Sequence, residues 1–210
     1  MSGGRHYAWR RKATDMAVGG LTGTALDIAT GTGDFAFDLI QKRQVTKVVG
    51  LDFTPAMLPL AIDKARGRGL DNQTEFIAGD AHALPFPDDQ FICTTVGFGV
   101  RNFIDVPLAL SEMRRVVRPG GRVVILEIVR QDGLNPVGKI FPIYFRHITP
   151  WMGALLAGDR EAYTYLPESV QGFLSAHELA GLMVQSGLTN VRHTSLGLGT
   201  VAIHVGEKAG

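Results

Sequence analysis

Leu26-Asp27-Ile28-Ala29-Thr30-Gly31-Thr32-Gly33-Asp34 is the stretch on which the rest of the chain is organised. The run from Thr24 to Ala29 is apolar enough to predict a strand. Two glycines one residue apart follow, then Asp34 and the helical spacing of Phe35, Ala36, Leu39 and Ile40. A strand that breaks into a glycine turn and re-emerges as a helix is how doubly wound α/β folds hold nucleotide-like ligands. The same pattern also occurs as a plain turn. Details of the turn narrow the ligand. A dinucleotide loop uses a third glycine, and pyrophosphate then rests on the helix N-terminus. Here Phe35-Ala36 fill that place, Asp34 opens the helix, and Asp27 adds a second carboxylate at the strand end. Carboxylates repel phosphate and suit a cation, so the stretch favours S-adenosylmethionine, with its sulfonium and amino group, over NAD.

Working outward, a helix is expected over 5–18, ended by Gly19-Gly20. The first crossover helix spans Asp34–Lys42. A second strand, Thr46–Leu51, ends in Asp52, and Thr54 with Pro55 predicts a capped helix running to Gly67. Third and fourth strands are expected over Glu75–Ala78 and Phe91–Val96, and a helix over 106–117. Pro119-Gly120-Gly121 reads as a turn before a fifth, fully apolar strand, Arg122–Ile128, of the kind found in the middle of a buried sheet. This alternation predicts a parallel, right-handed, doubly wound α/β sheet. It then stops. Residues 130–170 carry four prolines and a cluster of aromatics, and read as a helical insert on the substrate side. A helix over 175–186 and strands 189–195 and 200–206, joined by Gly197-Leu198-Gly199, close a single seven-stranded domain, 1–210, whose last strand runs antiparallel. Within it 24–129 is the cofactor-binding core and 171–210 the C-terminal helix and hairpin.

Composition excludes several classes. The chain has 210 residues, a net charge of +1 and no basic stripe beyond Arg10-Arg11-Lys12, which argues against nucleic acid as a partner. Its single cysteine, Cys93, lies in an apolar run, cannot form an internal disulfide and reads as an inert buried thiol in a reducing compartment. The six histidines show no metal spacing, so no metal site is expected. No run of 18 apolar residues and no signal-peptide pattern is present.

Polar residues recur at the carboxyl ends of the predicted strands, where open α/β sheets bind ligands. Asp52 follows Gly33 at the spacing of an acid that accepts hydrogen bonds from ribose hydroxyls; the alternative is a loop acid. After the third strand Asp80 offers an acceptor to an adenine amino group, and the backbone N–H of Ala81 a donor to its ring. Gly97, after the fourth strand, lets a ligand lie close, and Arg101 and Asn102 offer polar groups beyond it. Glu127 ends the fifth strand on the same rim; its alternative is a charge paired with an arginine. His147, inside the insert, is read as solvated or structural unless the chemistry needs a base.

Six runs, LDIATGTGD (26–34), GLDFTPAML (50–58), GDAHALPFPD (79–88), FGVRN (98–102), RVVRPGGRVVILE (115–127) and YTYLPESV (163–170), together with the tail VAIHVGEK (201–208), resemble the ubiquinone/menaquinone biosynthesis C-methyltransferase family. The first and third runs occur widely in class I S-adenosylmethionine methyltransferases; FGVRN, YTYLPESV and the tail are more particular. The resemblance implies that Gly31, Thr32, Gly33, Asp52 with its neighbour Phe53, and Asp80-Ala81 hold S-adenosylmethionine, with Gly97 beside it. It implies methyl transfer to a ring carbon of a prenylated hydroquinone, demethylmenaquinol or a ubiquinol precursor. Arg101 and Asn102 are then expected to orient the ring hydroxyl, with His147 second in line for the proton. A substrate of this kind implies a cytoplasmic protein that touches the inner face of the membrane transiently, and the insert would receive the prenyl tail. A homodimer is compatible with the sequence. Ser2, His6 and Trp9 fit the family's Ser-x-x-x-His-x-x-Trp run; its Tyr-Asp pair lies ahead of that run and has no counterpart here. The alternatives are methylation of another small apolar acceptor, or cofactor binding without turnover for want of the Tyr-Asp lid.

Overall fold

The computed structural model describes residues 5–131 and 173–210. Its seven strands are β1 (Gly23–Ile28), β2 (Val45–Asp52), β3 (Thr74–Ala78), β4 (Phe91–Gly97), β5 (Val117–Ile128), β6 (Thr189–Leu196) and β7 (Val201–Glu207). They form one sheet in the order β3-β2-β1-β4-β5-β7-β6. The first five neighbours pair in parallel, whereas β7 runs antiparallel to both β5 and β6. The expected mostly parallel α/β sheet with an antiparallel last strand is therefore present. The order reverses between β1 and β4, which opens a crevice at their carboxyl ends.

Alternation along the strands divides the core in two. Leu26, Ile28 and Ile125 face one layer, closed by Leu110 and Met113 of α4 (Val106–Val116) and Leu179 and Met183 of α5 (Ala176–Gln185). Ala25, Val124 and Ile203 face the other, closed by Ala13 and Ala17 of α1 (Arg5–Val18) and Phe35 and Leu39 of α2 (Asp34–Ile40). Asp105 caps α4 by accepting from Leu108 N at 3.0 Å. Ser175 and Glu178 form a capping box on α5, and Glu178 also takes Arg130 in a two-pronged ion pair.

Two local expectations are corrected. The helix predicted from Thr54 begins only at Leu58; α3 spans Leu58–Gly67, and Pro55–Met57 is a 3₁₀ turn. Thr54 stands at the N-cap of that 3₁₀ turn without a side-chain cap bond, and its backbone N–H donates to Asp52 Oδ1 at 2.8 Å. Pro119-Gly120-Gly121 is not a free turn but an irregular start to β5. The pairing of β4 jumps from Phe91–Val117 to Cys93–Arg122, and the extra residues bond the end of the chain instead, Gly120 N to Lys208 O and Lys208 N to Gly121 O. Gly120 has φ +75°, a conformation glycine takes without strain. The insert expected over 130–170, with its aromatics and His147, lies outside the described residues apart from Arg130 and Gln131. No helix among the described residues is long and apolar enough to cross a membrane.

Candidate functional site

A cleft of about 360 Å³ opens at the carboxyl ends of β1 to β4. Gly31, Asp52, Phe53, Asp80, Ala81, Gly97 and Asn102, all expected at a site from the sequence, line it together. Gly31 stands at φ +55°, and a Cβ built on it meets nothing within 4 Å, so the backbone is bare where a ligand would lie. Asp52 is nearly buried at the cleft wall. Its Oδ2 accepts from Gly31 N at 2.6 Å and its Oδ1 from Thr54 N at 2.8 Å. It therefore ties the glycine loop to the end of β2. Each carboxylate oxygen can accept more than one donor, so lone pairs remain for hydroxyls.

Asp27 is not on the cleft. It lies under the glycine loop, about 1% exposed, and accepts from Thr30 Oγ1 at 2.6 Å and Thr95 Oγ1 at 2.7 Å. Burial pushes its pKa up to about 7 despite these bonds and a further one from the backbone of Ala36 in α2. Its part is to pin the loop between β1, β4 and the start of α2. Thr32 and Gly33 are not among the residues that line the cleft. Lys64 Nζ donates to Thr32 Oγ1 at 2.6 Å, and Gly33, at φ +83°, leaves only 3.0 Å between a would-be Cβ and the rings of Phe37 and Phe76.

Arg101 departs most from its expected position. Its guanidinium does not line the cleft. Nη1 donates to Glu127 Oε1 at 2.6 Å and to Phe98 O at 2.6 Å, and its backbone N–H reaches Glu127 Oε2 at 3.3 Å. Glu127 is fully buried and also accepts from Ile128 N at 2.8 Å. Burial raises its carboxyl above the usual range and the arginine opposes that shift. The paired-charge reading of Glu127 is the one the structure shows. The arginine thus fastens the loop after β4, and Asn102 is the member of the pair that reaches the cleft. His147 lies outside the described residues.

The sequence reading missed other wall residues. Ala29 and Phe98 hold φ +52° and +60° at the tips of β1 and β4, and nothing in a non-glycine residue advertises that conformation. His82 also lines the wall; its signal was the Asp-x-x spacing of an Asx turn, since Asp80 Oδ1 accepts from His82 N at 2.9 Å. Phe53 and Ile104 form an apolar lip, 76% and 98% exposed. The described residues contain no cluster of metal-ligating side chains.

A family model described as the ubiE/COQ5 methyltransferase family matches residues 1–208. The chain belongs to that family. It is 43% identical to the demethylmenaquinone methyltransferase of Thermus thermophilus over 99% of this chain and 93% of that protein. It is 37% identical to the ubiquinone/menaquinone biosynthesis C-methyltransferase UbiE of an Enterobacter species, over 99% of this chain and 83% of that one. Among solved structures it resembles phosphoethanolamine N-methyltransferase 2 of Haemonchus contortus in complex with S-adenosyl-L-methionine. The TM-score is 0.72 and the identity 14%, covering 97% of this chain and 53% of that one. It also resembles the [4+2]-cyclase SpnF, with a TM-score of 0.71 and 19% identity over 95% and 81%. At these identities the structures establish the fold alone, and the fold serves more than one chemistry. Family membership, not the sheet, identifies the chain as a methyltransferase.

Proposed function

We propose that the cleft takes S-adenosylmethionine and that the chain methylates a ring carbon of a prenylated hydroquinone, demethylmenaquinol above its ubiquinol counterpart. One observation carries the reading: the bare Gly31 backbone and the Asp52 and Asp80 carboxylates meet on a single cleft of a ubiE/COQ5 family chain. The residues fit the cofactor. Asp52 presents acceptors for ribose hydroxyls, Asp80 an acceptor and Ala81 a backbone donor for an adenine edge, and no lysine or arginine is among the described residues that line the cleft. The two relatives' names point to the quinol, and the demethylmenaquinone methyltransferase is the more similar of the two.

S-adenosylmethionine supplies an electrophilic methyl group that needs no further activation. The chain's work is alignment, holding the acceptor carbon about 3–3.5 Å from the methyl group. A ring hydroxyl has a pKa near 10 in water, so a partner that stabilises its anion or takes its proton raises the carbon's nucleophilicity. Asn102 orients the hydroxyl from the cleft wall. Arg101 serves by holding Asn102 in place, and His147 is assigned the proton that the ring carbon must shed once the S–CH3 bond has broken, the new C–C bond has formed and S-adenosylhomocysteine is left. The exposed lip of Phe53 and Ile104 supports transient contact with a membrane surface, where a prenylated substrate resides. Each buried methylene of the tail favours an apolar seat by about 0.8 kcal/mol. Cytoplasmic placement and a homodimer belong to the same proposal.

The test is methyl transfer from labelled S-adenosylmethionine to demethylmenaquinol, a ubiquinol precursor, a sterol and a polyketide. Preferred labelling of demethylmenaquinol is expected. Turnover of a sterol or polyketide alone would replace the substrate class, and tight cofactor binding without turnover of any acceptor would replace the enzyme with a binding protein.

A further inference from the structure

His82 joins two walls of the cleft that come from different parts of the chain. Its Nδ1 lies 2.6 Å from Asp80 Oδ1, and its backbone N–H donates to that same oxygen at 2.9 Å. On the far side of the ring, Nε2 lies 3.2 Å from the backbone N of Asp105, the residue that caps α4. An N–H facing Nε2 requires that nitrogen to accept, so the proton is on Nδ1 and is donated to Asp80. The ring is fixed from a third direction by Phe103, edge-on with centroids 5.8 Å apart. One imidazole thereby holds a carboxylate after β3 and the start of α4 at a set distance.

The consequence concerns what Asp80 can recognise. Both bonds from His82 to this carboxylate fall on Oδ1, and Oδ2 has no protein donor among the described residues. The two donors of His82 stabilise the charged form and hold the Asp80 carboxyl below its ordinary range. A carboxylate kept ionised is an acceptor only. Beside it the backbone N–H of Ala81 is a donor only. An acceptor next to a donor matches the amino group and bare ring nitrogen of adenine and mismatches the carbonyl and ring N–H of a 6-oxopurine at both points.

We infer that His82 is a positioning residue that sets the base selectivity of the cofactor cleft, by fixing Asp80 with one oxygen occupied and the other open to an amino donor. This rests on the proposed identity of the cofactor. Asparagine and glutamine separate the two ends of the ring. His82→Asn keeps a donor near the Nδ1 position and abandons Asp105. His82→Gln places its amide near the Nε2 position and abandons Asp80.

The test is calorimetric binding of S-adenosylhomocysteine and S-inosylhomocysteine to the full chain. The unsubstituted protein is expected to prefer the adenosyl compound by roughly tenfold or more, the scale of unmatched polar groups in a site. His82→Gln should lose most of that preference. His82→Asn should keep it while both affinities fall together. A preference in His82→Gln equal to that of the unsubstituted protein overturns the inference, as does equal binding of both compounds before any substitution. Nitrogen NMR of the unsubstituted protein needs no variant: a proton on Nε2 instead of Nδ1 also overturns it. Failure to bind S-adenosylhomocysteine at all would bring down the cofactor reading itself, and this inference with it.

Discussion

Arg101 and Glu127 meet at 2.6 Å beneath the cleft, and the pair fastens the loop after β4 to the end of β5. Glu127 is 0% and Arg101 only 11% exposed in their side chains, so the buried carboxylate depends on the arginine for its counter-charge. Removing one partner strands the other. Glu127→Ala is expected to cost about 3–5 kcal/mol in urea unfolding. The paired change Arg101→Met with Glu127→Leu should cost much less, because it leaves no buried charge. A single-variant loss near zero would mean that the loop is held by other contacts.

Asp52 carries two backbone donors from the cleft loops, Gly31 N and Thr54 N, and borders the ligand space as well. Asp52→Ala should weaken S-adenosylhomocysteine binding by about tenfold or more, at about 1.4 kcal/mol per decade. Calorimetry reads this directly. Unchanged affinity would remove Asp52 from the cofactor site.

Asp27 gives a pH signature with a defined sign. Its folded pKa, about 7, lies above the ordinary value of 3.8. Between these values the folded chain binds the proton more readily than the unfolded one, so this residue's contribution to stability is present at low pH and is lost as pH rises toward 7. Asp27→Asn removes that loss. The stability of the variant relative to the parent should rise by roughly 1.4 kcal/mol per pH unit between about pH 5 and 7, then level off. Denaturant melts across that range check it, and a flat difference would contradict the buried proton.

Phe53 and Ile104 are exposed enough to be changed without disturbing the core. Phe53→Ser combined with Ile104→Ser should leave the unfolding midpoint within about 0.5 kcal/mol of the parent. The same variant should reduce flotation with phosphatidylglycerol-containing vesicles that carry demethylmenaquinol. Undiminished flotation would place the membrane contact elsewhere on the chain.

Much of this architecture could be read from residue pattern. The apolar run of β1, the glycine turn after it, and the acids at Asp52 and Asp80 lie where local periodicity and strand length put them. The departures fall where a turn's own geometry or a distant group takes over the local bonds. Thr54 reads as a helix cap, yet a 3₁₀ turn, Pro55–Met57, intervenes before α3 and its side chain makes no cap bond. Pro119-Gly120-Gly121 looked like a turn, yet it bonds Lys208 from the far end of the chain. The Asx turn that sets His82 is local, but its second partner, Asp105, is 23 residues away and no spacing announces it.

Composition and periodicity alone settled the α/β sheet, the rim on which the ligand groups gather and their acidic character, since these depend on residue types and short spacings. Only the folded arrangement decided which of those groups face the ligand. Asp27 and Thr32 share the glycine stretch with Gly31, but Asp27 is held by Thr30 and Thr95 and Thr32 by Lys64, while Ile28, Ala29 and Gly31 line the cleft. Arg101 and Asn102 are neighbours in the chain, yet a buried carboxylate 26 residues away draws one inside and leaves the other at the wall. A buried charge must find its counter-charge wherever the fold supplies it, and that choice is not written in the spacing of neighbouring residues.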